Sequence, residues 1–309
     1  MISVTFVKEN QLVLGIKTNK GILDVDAALL KFPEIAGVPR TVAELINKGN
    51  EVRELIAQLI QKAWNEDSLF YEEDSLEFGP CVPHPQKIIC AGLNYKKHAM
   101  EIDQPFPPFP LLFSKCNNTL AGHKERVRLP ITSSQVDYEA EIAIVIGTKA
   151  INVEKENALS YVYGYCNAND LSARDLQFAT SQWLLGKTCD GFCPIGPYLV
   201  SQDEVGNPND LRIRTFVNGH LRQDSNTSDM IFDCAELISY ISAHMTLFPG
   251  DIILTGTPEG VIMGYPEEQR VWLQAGDEVS VEIERLGRLT NTFIANEKVS
   301  TDDKERGKR

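Results

Sequence analysis

Five short segments typical of β-strands limit the fold more than any other feature of this chain. They are YEAEIAIVIG (138–147), YVYGYCNAN (161–169), LRIRTFVNG (211–219), DIILTGT (251–257) and EVSVEIERLG (278–287). They are rich in β-branched or aromatic residues and are bounded by Gly, Asn or Asp, which favour turns. Because successive short strands of this kind usually pair in antiparallel sheets, we expect a β-rich α+β fold.

The first 80 residues have a different pattern, in which strand-like segments come before helical ones. The strand-like segments are ISVTFV (2–7), LVLGIK (12–17) and GILDVD (21–26), and helical patterns follow at about 41–63. Prolines at 80, 83 and 85 favour an extended connection after them. We therefore expect a small N-terminal α+β domain at residues 1–80 and a larger β-rich domain at 81–309, with a frayed polar tail from about residue 297.

One further helix is expected between Asp233 and His244. Asp233 and Glu236 have the spacing of a capping box, and apolar residues follow at helical intervals. We interpret His244, near the end of this helix, as a capping or surface residue and not as a ligand.

Composition and charge exclude several classes of protein. No apolar run approaches the roughly 20 residues that span a bilayer, and the N-terminus does not resemble a signal peptide, so a cytoplasmic protein is expected. The formal net charge of -13 disfavours binding to nucleic acid, which needs clustered Lys and Arg. An anionic substrate would therefore have to be captured locally, by a metal and a few basic side chains.

The seven cysteines form no CxxC pair, which argues against a disulfide framework or a zinc ribbon. We interpret them as reduced thiols. Cys189 and Cys193 are close enough in sequence for a redox pair, but packing is the simpler interpretation.

Three acidic residues suggest a metal site. Glu139 and Glu141 are two apart on a predicted strand, so both side chains point to one face. Such a pair is often only a solvated strand edge, but the apolar residues that follow indicate a buried strand, where two carboxylates repel each other unless a cation lies between them. Asp170, in a turn after the next strand, is a third oxygen ligand. Carboxylates alone favour a hard cation, Mg²⁺ or Mn²⁺.

Five ordered blocks give the chain a specific resemblance. They are NYKKHAME (94–101), DYEAEIAIVIG (137–147), NDLSARDLQ (169–177), GKTCDGFCPIGP (186–197) and GDIILTGTPEGV (250–261). Together they resemble the fumarylacetoacetate hydrolase superfamily over about residues 87–295. The resemblance implies a mixed β-sandwich or roll, a homodimer, and Mg²⁺ or Mn²⁺ held by Glu139, Glu141 and Asp170.

One position departs from the family pattern. Cys116 stands where relatives commonly have proline after Lys115. The role of Lys115 is therefore left open between a contact to substrate and a structural ion pair.

The resemblance also implies a function, the cleavage of a carbon–carbon bond in a small 2-oxo acid through a pyruvate enolate. A bound divalent cation stabilises the enolate charge in hydrolysis of an acylpyruvate and in decarboxylation of oxaloacetate. Lys187 would donate a charged hydrogen bond to the enolate or the carboxylate, and Arg174, Gln177 and Thr257 would contact the substrate. The alternatives are a surface lysine, an ion pair of Arg174 with Asp175 or another acid, and a Thr257 hydroxyl that serves its own turn.

His98 and Glu101 are candidate catalytic residues. They are three apart in a segment that predicts one helical turn, so they face the same side. A solvated surface pair is the default interpretation, but a histidine oriented by a carboxylate also activates water as a general base. Relatives that hydrolyse acylpyruvates or decarboxylate oxaloacetate have this pair. The proline-rich run DQPFPPFP after this turn would let the turn act as a lid that orders over substrate.

Two other functions compete with this hypothesis. One is an isomerase or decarboxylase of aromatic-catabolism diacids such as 2-hydroxyhepta-2,4-diene-1,7-dioate, which shares the metal and the enolate but moves a proton. The other is a binding or regulatory protein that keeps the metal without turnover.

Overall fold

Two sheets of unequal size form the framework of the protein. The computed structural model describes residues 1–296, and the predicted tail from about residue 297 lies outside the described residues. In pairing order, the large sheet contains β4 (Phe70–Tyr71), β3 (Gly21–Asp24), β2 (Gln11–Thr18), β1 (Ile2–Lys8), β13 (Cys193–Ser201), β11 (Val162–Asn169), β10 (Ala140–Ile146), β16 (Ile252–Leu254), β5 (Ile88–Gly92) and β6 (Leu111–Lys115), with β7 (Leu120–Ala121) beside β13.

The second sheet has five strands and packs on the large one. Its pairing order is β15 (His220–Asn226), β14 (Arg212–Val217), β17 (Glu278–Ile283), β18 (Gly287–Ile294) and β8 (Arg126–Arg128). A short ribbon pairs β9 (Val136–Asp137) with β12 (Ser172–Ala173). Strands β14, β17 and β18 contact the central strands β10, β11 and β13, so the two sheets form a sandwich.

Within residues 1–296, eight α-helices surround these sheets. They are α1 (Val25–Lys31), α2 (Val42–Lys48), α3 (Arg53–Ala63), α4 (Lys96–Glu101), α5 (Arg174–Gln177), α6 (Leu184–Lys187), α7 (Gln202–Val205) and α8 (Cys234–His244). Asp233 caps α8 by accepting a hydrogen bond from the backbone N–H of Glu236, as the sequence predicts. His244 at its end is exposed. No helix within residues 1–296 is long and apolar enough to cross a membrane.

The central strand β10 is buried along its whole length because both of its faces are covered. Ile142 and Ile144 belong to the core shared with the five-stranded sheet, whereas Ala143 and Val145 belong to the core shared with helices α1 to α3. This double cover explains the unbroken apolar sequence of the strand. The β-rich α+β fold and its sandwich arrangement are therefore confirmed.

The N-terminal strands extend the large sheet. Strand β1 pairs antiparallel with β13, with Val4 opposite Tyr198. Strands from both sides of residue 80 thus share one sheet. The predicted division into two domains at this residue stays a prediction. The segment DIILTGT forms a shorter strand than the sequence suggests, since β16 ends at Leu254 and the next residues form a turn at the candidate site.

The centre of the large sheet depends on one glycine. Gly164 in β11 lies opposite Ser201 in β13, and a methyl group added to it would overlap the carbonyl oxygen of Val200. We expect Gly164→Ala to lower the free energy of unfolding by about 3 kcal/mol, since the two strands must separate. Urea denaturation measures this loss.

Gly219→Ala is the control for this substitution. Gly219 has a positive φ but open space around the added methyl group, so only the backbone cost of about 1 kcal/mol is expected. Equal losses for the two variants would show that close packing at Gly164 is unimportant.

Candidate metal and catalytic site

Strand register brings the three candidate metal ligands together. In the β10–β11 pair, Ala140 lies opposite Asn169, so the residues next to them, Glu139 and Asp170, meet at the same end of the sheet. The backbone N–H of Asp170 donates to the carbonyl of Glu139 at 2.8 Å. One carboxylate oxygen from each of Glu139, Glu141 and Asp170 lies within 4.8 Å of the others, and all three residues are buried. This is the trio that the sequence predicts.

Two buried lysines neutralise part of this acidic charge. The Nζ atom of Lys187 lies 2.6 Å from Oε2 of Glu139 and 2.8 Å from Oδ2 of Asp170. Burial alone would lower the pKa of Lys187, but the charges of Asp170 and Glu139 outweigh it, and the pKa lies above its ordinary value. Lys115 donates to Oδ1 of Asp170 at 2.6 Å and to the carbonyl of Leu171 at 3.1 Å. The structure thus places Lys115 in a buried ion pair.

Glu141 differs from its neighbours because no cationic side chain within residues 1–296 pairs with it. Its carboxylate accepts one hydrogen bond, from the backbone N–H of Gly256 at 2.7 Å. Burial, followed by the charges of Asp170 and Glu139, raises the pKa of Glu141 well above its ordinary value. A divalent cation would remove this destabilisation. The buried all-oxygen donor set, still short of positive charge, therefore fits a hard cation.

Arg174 joins the metal-ligand candidates to a fourth acid, Asp137. Its NH2 atom lies 2.8 Å from Asp137 and 2.8 Å from Glu139, and its Nε atom donates to Asp137 at 2.9 Å. Its NH1 atom donates to Oε1 of Gln177 at 3.0 Å. Asp175 instead accepts hydrogen bonds from a neighbouring loop, so the partner of Arg174 is another acid.

Asp137 is a site residue that was not predicted, although its spacing in the sequence carries a signal for it. Asp137, Glu139 and Glu141 follow the alternating spacing that places side chains on one strand face. Asp137 also accepts the backbone N–H groups of Ile262 and Met263 at 2.8 and 3.0 Å. It therefore fixes the chain segment that begins at residue 262 beside the site.

Thr257 faces the same site from the turn after β16. Its hydroxyl oxygen accepts a hydrogen bond from Nε2 of Gln223 at 2.9 Å. Gln223, which the sequence analysis also missed, further donates to the carbonyl of Pro258 and accepts the backbone N–H of Ala140. Because Gln223 lies on β15, no local sequence signal connects it with this turn. The hydroxyl proton of Thr257 stays available to a ligand.

His98 and Glu101 form a pair on helix α4, as predicted. The Nδ1 atom of His98 lies 3.2 Å from Oε2 of Glu101, and the histidine is only 4% exposed. Glu101 also accepts the backbone N–H of Gly260 at 3.0 Å. A methyl group added at Gly264 would overlap the carboxylate of Glu101, so the chain passes very close to it. The surface interpretation fails for His98, whose side chain is buried.

One cavity of about 580 Å³ gathers most of these side chains. Its lining includes eight of the nine predicted site residues: His98, Glu101, Glu139, Glu141, Arg174, Gln177, Lys187 and Thr257. Asp170, the ninth, is fully buried and contacts the lining through Lys187. Phe113, Phe178 and Trp183 supply an apolar wall. The cavity can thus hold a small anionic ligand between a hard-cation site and a histidine–carboxylate pair.

The fold and this site define a family. The profile of the fumarylacetoacetate (FAA) hydrolase C-terminal domain matches residues 87–294, and the chain belongs to this family. A Xenopus laevis relative, a mitochondrial oxaloacetate tautomerase, is 42% identical over 246 residues, which cover 79% of this chain and 76% of the relative.

Solved structures agree with this assignment. The fumarylacetoacetate hydrolase from Exiguobacterium antarcticum has a TM-score of 0.78 and 32% identity. The 2-hydroxyhepta-2,4-diene-1,7-dioate isomerase from Mycobacterium marinum has a TM-score of 0.72 and 29% identity. Both matches cover 96% of this chain and 100% of the other. Enzymes with different names thus share this fold.

The Asp137–Arg174 pair provides a test of the buried charge network. We expect Asp137→Asn to lower the free energy of unfolding by about 3 kcal/mol, because it leaves the buried Arg174 charge with less compensation. Urea denaturation at pH 7 measures the change.

Asp224→Asn is the matched control, because Asp224 pairs with Arg212 on the surface through two hydrogen bonds. There we expect a loss below about 1 kcal/mol. A small loss at Asp137, similar to the control, would contradict the importance of the buried network.

Proposed function

We propose that this protein interconverts the enol and keto forms of a small 2-oxo diacid, with oxaloacetate as the first substrate to test. The observation that carries the proposal is the His98–Glu101 pair, which faces the same cavity as the buried carboxylates. Enolisation of a 2-oxo acid needs both a group that transfers a proton at C3 and positive charge near the 2-oxo oxygen. The name of the Xenopus laevis relative supports the choice of substrate.

Glu139, Glu141 and Asp170 would hold the cation, Mg²⁺ or Mn²⁺. When bound, the cation would act as a Lewis acid that lowers the energy of negative charge on the substrate. The side chains of Arg174 and Lys187 keep Glu139 ionised: burial raises its pKa, but the two cations outweigh burial and hold the pKa below its ordinary value. An ionised carboxylate is the form that binds a metal.

His98 would transfer the proton. If Nδ1 donates to Glu101, Nε2 is the atom left for the substrate, and Glu101 stabilises the positive charge when the imidazole is protonated. In the direction from enol to keto, C3 gains a proton from Nε2, and the hydroxyl proton of the enol leaves to solvent. His98 then regains its proton from solvent.

Three donors would orient the substrate. Lys187 uses two of its three N–H groups on Glu139 and Asp170, which leaves the third for the 2-oxo oxygen or the carboxylate. The Oε1 atom of Gln177 accepts from Arg174, so its amide NH₂ is free to donate. The Thr257 hydroxyl, which accepts from Gln223, can donate as well. Arg174 would act by holding Gln177 and Glu139 in place.

Carbon–carbon bond cleavage is the second candidate function. Hydrolysis of an acylpyruvate and decarboxylation of oxaloacetate form the enolate that tautomerisation also needs, and the similarity to a fumarylacetoacetate hydrolase structure favours this reaction. In hydrolysis His98 would take a proton from water. The isomerase structure supports proton transfer on a longer diacid by the same groups. A homodimer and a cytoplasmic location remain further predictions.

The first prediction under this proposal concerns the metal. We expect protein treated with a chelator to lose turnover of enol-oxaloacetate, and Mg²⁺ or Mn²⁺ to restore it. We also expect Glu141→Gln to weaken Mn²⁺ binding at least about tenfold, since it removes one charged ligand while the fold persists. Isothermal titration with Mn²⁺ measures the affinity independently of activity.

Glu101→Gln is the control for metal binding, because Glu101 faces the same cavity but is not among the three ligands. Its Mn²⁺ affinity should match that of the wild type. Full turnover by metal-free protein, or unchanged Mn²⁺ affinity in Glu141→Gln, would contradict the metal assignment.

The second prediction concerns proton transfer. We expect His98→Asn to lower kcat for tautomerisation by about 10²–10⁴-fold, the usual range for a general acid–base group. Glu101→Gln should reduce kcat in the same direction, because it weakens the support of the imidazolium. The disappearance of the enol absorbance measures the reaction at saturating metal.

Two comparisons sharpen this test. His244→Asn, which removes an exposed histidine at the end of α8, should leave kcat unchanged. Oxaloacetate decarboxylation should fall less than tautomerisation in His98→Asn, because decarboxylation does not require a base. Equal losses in both reactions would indicate that His98 binds substrate or closes the cavity.

A further inference from the structure

The cationic side chains that line the cavity differ in whether they already pair with a carboxylate of the protein. Three residues with permanent positive charge line it: Arg174, Lys187 and Arg270. The first two are buried and pair with carboxylates of the protein at 2.6–2.8 Å. Their charge mainly balances the acidic cluster. Arg270 pairs with no carboxylate within residues 1–296.

Arg270 lies in the segment after Gly264. Its Nε atom donates to the carbonyl of Tyr265 at 2.9 Å, which fixes the direction of the guanidinium. No carboxylate in the part of the chain that the structure describes lies within 4.0 Å of the guanidinium nitrogens. Its two terminal NH₂ groups, which carry the fork geometry that matches a carboxylate, are therefore available to a ligand.

The backbone ties Arg270 to the candidate metal site. The segment begins at Ile262 and Met263, whose N–H groups donate to Asp137, the carboxylate that Arg174 holds. Tyr265 continues the segment and receives the hydrogen bond from Arg270. The position of the guanidinium is thus set by the same network that sets the metal ligands. This gives a fixed relation between Arg270 and the candidate metal site.

We propose that Arg270 binds the second carboxylate of a dicarboxylic 2-oxo acid and so selects diacids over monoacids. The inference rests on the proposed function, which places the 2-oxo acid end of the substrate at the carboxylate cluster. The second carboxylate of a diacid then needs another cation in the lining, and Arg270 is the one that pairs with no carboxylate within residues 1–296. The exposed Asp103 on the rim would repel that charge and favours the side of Arg270.

Two ligands of equal carbon number isolate this contact. Oxaloacetate and 2-oxobutanoate share the 2-oxo acid end, but only oxaloacetate has a second carboxylate. We expect Arg270→Gln in Mn²⁺-loaded protein to weaken oxaloacetate binding by about 10- to 100-fold, the range for one charge-assisted hydrogen-bonded contact. The affinity for 2-oxobutanoate should stay within about twofold of the wild type. Calorimetric titration with each ligand already at equilibrium between its keto and enol forms measures both affinities, because tautomerisation then gives no net reaction.

Arg222→Gln is the matched control. The Arg222 guanidinium lies over the ring of the same Tyr265, 5.9 Å from its centroid, but it is not part of the cavity lining. It removes the same charge, and oxaloacetate affinity should not change. Circular dichroism and Mn²⁺ affinity confirm that both variants fold and bind metal.

The outcomes separate the two proposals. Equal weakening of both ligands in Arg270→Gln, or no weakening of oxaloacetate, would overturn the role of Arg270 and leave the proposed function intact. A wild-type protein that binds neither ligand would instead overturn the substrate class, and the role of Arg270 with it. An equal loss of affinity in Arg222→Gln and Arg270→Gln would show that the effect is long-range electrostatic attraction, and it would overturn a direct contact with Arg270.

Discussion

The structure depends on the concentration of negative charge at one end of a buried strand pair. Strands β10 and β11 are covered on both faces, yet buried carboxylates stand at one end of the pair. Burying a charge is costly unless other charges compensate it. Lys115, Lys187 and Arg174 supply most of that compensation, and Glu141, which pairs with no cationic side chain within residues 1–296, is the carboxylate that a bound cation would compensate.

The same compensation explains how distant chain segments are positioned. Lys115 comes from β6, Lys187 from α6 and Arg174 from α5, and each is held by an acid at the ends of β9, β10 or β11. These short helices make few hydrogen bonds of their own. Their positions therefore depend on ion pairs with the sheet, which couple the side chains proposed to orient the substrate to the candidate metal ligands.

The sequence could predict the carboxylate trio because strand alternation places Glu139 and Glu141 on one face, and a turn places Asp170 beside them. It could also predict the His98–Glu101 pair from helical spacing. It could not predict that Arg174 pairs with Asp137, because the spacing of the acids does not say which cation meets which carboxylate. Gln223 has no local signal, since its contact with Thr257 arises only when strand β15 packs against the segment after β16. Lys115 needed the register of β6 before its role as an ion-pair partner could be decided.

Gly264 and Arg270 differ in what their substitution would affect. Any side chain at this position would collide with the carboxylate of Glu101 and disturb the histidine it supports. A larger residue at this position would require the Glu101 side chain to shift, which would change its contact with His98. Arg270 lies on the same segment away from that overlap, so its substitution would leave the proposed proton-transfer pair in place. Within one short segment, a substitution at Gly264 would thus act on the proposed proton-transfer pair, and a substitution at Arg270 would act on the proposed choice of substrate.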